Sequence, residues 1–272
     1  MSAGGAPGGP RSAVTFDLWY TLVYLGPDER RSFEARRRGI WAEALTTAGL
    51  APEKAHTWVR QLEITSDQLE VTGEAPKISD LVAWLRERTG RSFDTGYLES
   101  RLGALVADGG FQLAPGARSA LATLRSAGLR CGLVSNIVHE PPWAIRKLLD
   151  RLGLLPYFRS IVLSSEVGAG KPKPEPFQRC LSELGAPAHD AAHVGNSGSD
   201  VVGARAAGLQ PIFYTGLRSL SPRSVLTPLR SIPPEVPRFR SWAELPGLVG
   251  LARPRAGAPG KPPTEPRVRR SA

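Results

Sequence analysis

A few residues of this chain combine side-chain types that do chemistry, and each follows a short apolar run. Asp17 closes AVTF, Ser135 and Asn136 close LRCGLV, Lys171 comes shortly after SIVLSS, and Asn196 and Asp200 follow AAHVG. If these runs are parallel strands, their carboxyl ends open onto one crevice. A carboxylate, a hydroxyl, a lysine and a second carboxylate meeting there suit transfer of a charged group. Asp17 can attack as a nucleophile, Ser135 can hydrogen-bond an oxygen of the group in transfer, and Lys171 can offset charge on both. Asp200 can hold a cation or orient Lys171, and it equally suits the N-cap of the helix VVGARAAG. Asp17 taken alone would read as a turn or cap residue; the other three clusters make it a nucleophile.

Such residues need a scaffold, and the chain supplies five apolar runs: AVTFDL (13–18), LRCGLVSN (129–136), SIVLSS (160–165), AAHVGN (191–196) and LQPIFYTG (209–216). Amphipathic segments of helical period lie between the later runs, as in PPWAIRKLLDRLG and PEPFQRCLSELG, each closing on Gly. Alternating strands and helices imply βαβ units, hence an α/β fold with a parallel sheet covered on both faces. Residues 25–113 break the rhythm with several helical patterns and little strand signal, which predicts an all-helical cap inserted above the carboxyl ends of the sheet. Trp41, Trp58 and Trp84 fall among Leu, Val or Ala at helical spacing and read as packing anchors of that cap. The expected organisation is a leader at 1–12, a core formed by 13–24 and 114–250, the cap at 25–113, and a basic tail at 251–272.

FDLWYTL, LVSN, GKPKPEPF and VGNSGSDVVGARAAG, in that order, resemble the four motifs of the haloacid dehalogenase-like hydrolase superfamily. The helical insertion resembles its first-position cap, and the resemblance covers about 13 to 216. It implies a Rossmann-like core and a covalent intermediate on the Asp17 side chain, which water then hydrolyses. Phosphatase members use Mg²⁺ to offset the charge of nucleophile and phosphate. Carried over by motif, Asp17, the Trp19 carbonyl, Asn196 and Asp200 form the metal set. Asp17, Ser135 and Lys171 are then catalytic, and Asn136, Trp19 and Tyr20 face the substrate.

Three departures from the phosphatase pattern stand out. The second Asp, two residues after the nucleophile, protonates the leaving group in phosphatases of the family; here it is Trp19, which cannot exchange a proton. Tyr20 replaces the Gly before the motif's Thr, and its hydroxyl is placed to enter the pocket. The Gly-Asp of the fourth motif is Gly195-Asn196, which removes one anionic ligand and weakens a divalent site. The leading expectation is a Mg²⁺-dependent phosphatase acting on a small phosphorylated metabolite. Two alternatives remain: a metal-independent dehalogenase, whose halide needs no general acid, and a catalytically degenerate binding or regulatory protein. Arg36, Arg37 and Arg38 in the cap read as a solvated face, Lys173 as a surface charge, and His139 as the one histidine near the crevice.

Composition narrows the partners. The net charge is +10, but half of the excess falls in the Pro/Gly-rich stretch from Ala252 onward, which has no means to build a core. No basic patch is interleaved with aromatics, so nucleic acid is not an expected partner. The two cysteines lie in an apolar run and a helical segment, which argues against a disulfide framework. No run approaches a membrane span, and the opening residues lack an apolar signal stretch, so a small-molecule substrate and the cytoplasm are expected. Oligomeric state is not legible.

Overall fold

The computed structural model describes residues 11–221 and 227–251; most of the expected leader and nearly all of the expected tail lie outside them. Strand β1 (Ala13–Phe16) turns tightly into β2 (Val23–Tyr24). Four helices follow, α1 (Pro27–Thr47), α2 (Pro52–Thr72), α3 (Ile78–Thr89) and α4 (Thr95–Ala107), before β3 (Gln112–Leu113). The rest runs α5 (Ala117–Ser126), β4 (Arg130–Ser135), α6 (Pro142–Arg151), β5 (Phe158–Leu163), α7 (Ser164–Val167), α8 (Glu175–Leu184), β6 (Ala191–Gly195), α9 (Gly198–Ala206), β7 (Gln210–Tyr214), β8 (Arg238–Phe239) and α10 (Leu245–Leu248).

Six strands form one sheet in the order β5-β4-β1-β6-β7-β8, every pairing parallel. β1 lies between β4 and β6, with Phe16 level with Leu133 on one side and Val194 on the other. AVTF takes this central place because both its faces are buried. Val14 and Phe16 join one apolar cluster with Leu121, Leu148 and Trp242, while Ala13 joins another with Phe177, Leu181 and Leu184. Helices on both faces follow from that double burial. Since β4 and β5 lie on one side of β1 and β6 to β8 on the other, its carboxyl end is the switch point where an open α/β sheet binds ligands.

The four helices between β2 and β3 begin and end on local signals. Pro27 and Pro52 occupy first-turn positions of α1 and α2, where the missing N–H costs nothing. Gly73 and Gly90 close α2 and α3 in the left-handed conformation. Trp58 and Trp84 meet edge to face at 6.0 Å, and buried Trp41 packs on His139 of the core. The two-residue strands β2 and β3 pair antiparallel at the base of this helical unit; they are too short for alternation to show in sequence. β8 escapes notice for the same reason.

Candidate active site

Every functional side chain expected at a strand end lies at the carboxyl edge of the sheet. A cavity of about 550 Å³ opens there, lined from below by Asp17, Trp19, Tyr20, Asn136, Lys171 and Asn196. Helices α1 and α2 line it from above.

Asp17 continues β1, its amide donating to the Val194 carbonyl at 2.9 Å. Leu18 O then accepts from the amides of Leu22 and Val23, and this tight loop turns the carboxylate toward the cavity while keeping it only 5% exposed. Tyr20 adopts φ 55, a left-handed conformation that costs a non-glycine residue about 1–2 kcal/mol. The loop therefore retains a glycine-like backbone although Tyr stands in it. The Tyr20 hydroxyl is pushed up by burial to about 12, which makes it a poor proton donor near neutrality.

Lys171 Nζ lies 2.6 Å from Asp17 Oδ1 and 2.6 Å from Asp200 Oδ1. All three side chains are buried, so two carboxylates share one ammonium. Burial disfavours the Lys171 charge, but the paired carboxylates more than offset it and raise its pKa. The carboxylates then divide by their remaining partners. Asp200 Oδ2 accepts from the amides of Asn196 and Ser197 and from the Ser197 hydroxyl, and Oδ1 also meets His193 Nε2 at 3.2 Å. Against the opposing effect of burial, Lys171 and His193 hold Asp200 well below the usual carboxylate range. Asp17 keeps only Thr21 Oγ1 and Lys171 as strong donors, so burial, opposed by Lys171 and reinforced by the Asp200 charge, raises it to about 6.

This geometry corrects several readings from sequence. Asp200 is not the N-cap of α9: Ser197 is, and Asp200 occupies the third helical position of a capping box. Both oxygens of Asp200 are engaged, one of them by Lys171. Asn136 directs its amide to the Lys171 backbone, accepting from Lys171 N at 2.8 Å and donating to Lys171 O at 3.0 Å. It fixes the lysine backbone and also lines the cavity. Ser135 is 1% exposed, and its hydroxyl reaches only the Asn136 carbonyl, at 3.3 Å. His139 is buried against Trp41, lowered by burial and by the Arg37 charge, and outside the cavity. The histidine that matters is His193, whose Nδ1 meets Thr15 Oγ1 at 2.9 Å. Burial keeps it neutral, so its Nε2–H donates to Asp200. Only its place inside AAHVG, on the central part of the sheet, could have marked it. Lys173 is more than a surface charge: it pairs with Glu74, just beyond α2, at 2.6 Å.

Trp19 packs its indole on Phe111 at 5.2 Å and donates from Nε1 to the Asn136 carbonyl at 3.3 Å. It walls the cavity and ties two loops together. Asn196 completes the floor. With donors set to face acceptors, its amide nitrogen lies 3.3 Å from Asp17 Oδ2, 3.2 Å from the Trp19 carbonyl and 3.2 Å from Thr21 Oγ1. Turned the other way, the amide oxygen would join Asp17 Oδ2 and Trp19 O in one group of oxygens. Mg²⁺ is commonly held by one or two carboxylates with waters and substrate phosphate, so the set fits a weakly held ion. Among the described residues no three His, Cys, Asp or Glu side chains gather as a metal site.

The upper wall carries charges that the strand-end motifs did not reveal. Arg30, Glu34 and Arg37 reach in from α1, Asp67 and Glu70 from α2, and Glu140 from the loop after β4. Arg30 lies 3.7 Å from Glu34, and Arg37 pairs with Glu63 at 3.3 Å. The end of α2 docks on the core, where Gly170 N donates to Gly73 O at 2.9 Å beside Lys171. A Cβ at Gly73 would stand 2.7 Å from Gly170 O, so only glycine allows that approach.

Comparison with known proteins gives consistent relatives. A model of haloacid dehalogenase-like hydrolases matches residues 12–208. Phosphoglycolate phosphatase of Salmonella paratyphi A is 32% identical over 216 residues, covering 74% of this chain and 80% of that protein. Among solved structures, a HAD phosphatase from Thermococcus onnurineus superposes with a TM-score of 0.59 at 20% identity, over 89% of this chain and 99% of the other. The L-2-haloacid dehalogenase of Xanthobacter autotrophicus superposes with a TM-score of 0.54 at 18% identity, over 88% and 98%. These two likenesses are of fold.

Proposed function

The chain belongs to the haloacid dehalogenase-like hydrolases, and from that premise we propose that it is a phosphatase that hydrolyses a small phosphorylated metabolite in the cytoplasm through an aspartyl-phosphate on Asp17. The observation that carries the reading is the buried Asp17–Lys171–Asp200 cluster at the cavity floor, with Lys171 2.6 Å from each carboxylate. An ammonium beside a nucleophilic carboxylate lowers the charge that an incoming phosphate must approach. Asp200, held by four other donors, keeps that ammonium in place and charged. Asn136 fixes the lysine backbone, and Thr21 orients Asp17 through the 2.9 Å bond to Oδ2.

A Mg²⁺ ion, held by Asp17, the Trp19 carbonyl and the Asn196 amide oxygen, would offset phosphate charge. Asp200 is left out of that set because its oxygens are already taken. The dehalogenase alternative loses ground because the cavity's Arg30 and Arg37 lie beside Glu34 and Glu63, leaving neither guanidinium without an acidic neighbour. The phosphatase relatives are also the ones with appreciable sequence identity.

The test is hydrolysis of an aryl phosphate by the purified protein. Turnover that Asp17→Asn abolishes supports the reading, and wild type without turnover across a panel of phosphate esters refutes it. Calorimetric binding of beryllofluoride that depends on Asp17 separates an active site from a degenerate one.

A further inference from the structure

In phosphatases of this kind the proton for the leaving group comes from the position Trp19 fills here, so a catalytic phosphatase needs another donor. Tyr20 and His139 are the nearest alternatives in sequence. Tyr20 holds its proton too tightly, and His139 faces Trp41 rather than the cavity. Asp200 and Lys171 are locked to one another, and Asn196, Ser197 and Ser199 carry no proton that leaves near neutrality.

Four carboxylates remain in the walls of the cavity: Glu34, Asp67, Glu70 and Glu140. Glu34 lies near Arg30 at 3.7 Å. Glu140 is spoken for, because one of its oxygens accepts from the amides of Val138 and His139, each at 3.2 Å. Asp67 is exposed, one turn further back along α2. Glu70 is different. It lines the cavity with Asp17 and Lys171 and is partly buried; its backbone carbonyl accepts from Gly73 N at 3.0 Å, but its carboxyl makes no hydrogen bond or ion pair among the described residues. Its position is fixed from below, since it stands on the last turn of α2, three residues before the Gly73 carbonyl that accepts from Gly170 N beside Lys171.

We propose, resting on the phosphatase reading, that Glu70 is the general acid and base of the reaction, supplied by helix α2 in place of the residue lost at Trp19. As Asp17 attacks phosphorus, the bond from phosphorus to the alcohol oxygen breaks and the Glu70 carboxyl passes its proton to that oxygen, releasing the alcohol. Water then attacks the aspartyl-phosphate, Glu70 takes the proton that water loses, and the bond to Asp17 breaks to give inorganic phosphate and the free carboxylate. The surroundings suit both roles. Burial and the Glu140 charge, with Asp67 and Asp17 adding and Lys171 opposing, raise Glu70 to about 7, near the working pH where a general acid is most useful.

The experiment compares 4-nitrophenyl phosphate with propyl phosphate in wild type and Glu70→Gln. General-acid assistance is worth about a hundred- to ten-thousand-fold for a poor leaving group and little for a good one. Glu70→Gln is expected to lose that factor in kcat/KM on propyl phosphate, to lose less than about tenfold on the aryl ester, and to lose the basic limb of the pH profile near 7. Binding of inorganic phosphate should hold, and the unfolding midpoint should not fall, because removing a carboxyl whose pKa the fold raises does not destabilise it above pH 7. Equal losses on both esters, retention of the basic limb, or loss of phosphate binding would overturn the assignment of Glu70. Absence of aryl phosphate turnover in wild type would instead overturn the phosphatase reading beneath it.

Discussion

Replacing Asn196 by Asp puts the departure in the fourth motif to a quantitative test. The Asn196 amide lies 3.3 Å from Asp17 Oδ2 and 3.2 Å from the Trp19 carbonyl, so a carboxylate there would set oxygen against oxygen. At an effective dielectric near 20, two unit charges at that separation repel by about 5 kcal/mol. Asn196 is partly exposed, and side-chain rotation and water reduce the cost to about 2–3 kcal/mol. For a chain of this size that corresponds to a fall of about 4–12 °C in the unfolding midpoint in a chelator.

A divalent ion reverses the sign, because it converts two facing carboxylates into two ligands. The repulsion relieved on binding adds to affinity, and 1.4 kcal/mol is a factor of ten. Asn196→Asp should therefore bind Mg²⁺ about 10- to 100-fold more tightly than wild type. Titration calorimetry reads the affinity, and thermal unfolding with chelator or with millimolar Mg²⁺ reads the stability. Wild type should change little between the two conditions, while the variant should be the less stable protein in chelator and recover in Mg²⁺. A variant as stable as wild type in chelator, or one that gains no Mg²⁺ affinity, would refute the reasoning that Asn196 neutralises this corner with amide protons.

Two further outcomes follow from the geometry. Asp17→Asn should abolish turnover yet raise stability near pH 7.5, because a native pKa raised from 3.8 to about 6 means the fold holds that proton more tightly than the unfolded chain does. Stability from this group is present below 3.8 and is lost as pH rises through about 6, a difference of about 3 kcal/mol; urea unfolding of the two proteins at pH 4 and 7.5 checks it, and a variant less stable at pH 7.5 would contradict it. Gly73→Ala combines a left-handed φ with a Cβ 2.7 Å from Gly170 O, so it should cost about 1–2 kcal/mol in backbone strain and break the contact to Gly170. Its kcat/KM should fall more on an alkyl than on an aryl phosphate, and unchanged activity on both would show that the docking of α2 does not matter.

Much of the core could be read from sequence because its signals are local. The runs at 13–18, 129–136, 160–165, 191–196 and 209–216 are apolar on both faces, as strands in a parallel sheet must be, and those at 13–18, 129–136 and 191–196 close on residues that line the cavity. Asp17, Lys171 and Asp200 come together because all three follow such runs. Which of two compatible roles a residue plays was harder to see. Asn136 and Asp200 are polar groups at strand ends, and whether they face a ligand or a neighbour depends on distances across the chain: Asn136 to Lys171 spans 35 positions, Asp17 to Lys171 spans 154. His193 hides inside a strand whose apolar neighbours suggest only packing. Glu70 was invisible for a different reason. On α2 it is one acidic residue among several at solvent-facing spacing, and only the three-dimensional placement of the helix end brings it into the wall of the cavity that Asp17 also lines.

Placing the proton donor on α2 has a mechanical consequence. An acid two residues after the nucleophile would share its loop and be present whatever the helices do. Glu70 instead depends on the contact between Gly73 and Gly170 and on the ion pair between Glu74 and Lys173. Both partners on the core side flank Lys171, the cation that offsets phosphate charge. The same loop that presents the ammonium to phosphate therefore anchors the helix that presents the acid to the alcohol. A substrate too large to let α2 dock would meet Asp17 and Lys171 without its acid, so only esters with good leaving groups would then react. If Glu70 is the acid, small substrates that keep the contact would receive the full catalytic set, and the cavity would gain selectivity for size through the proton rather than through binding.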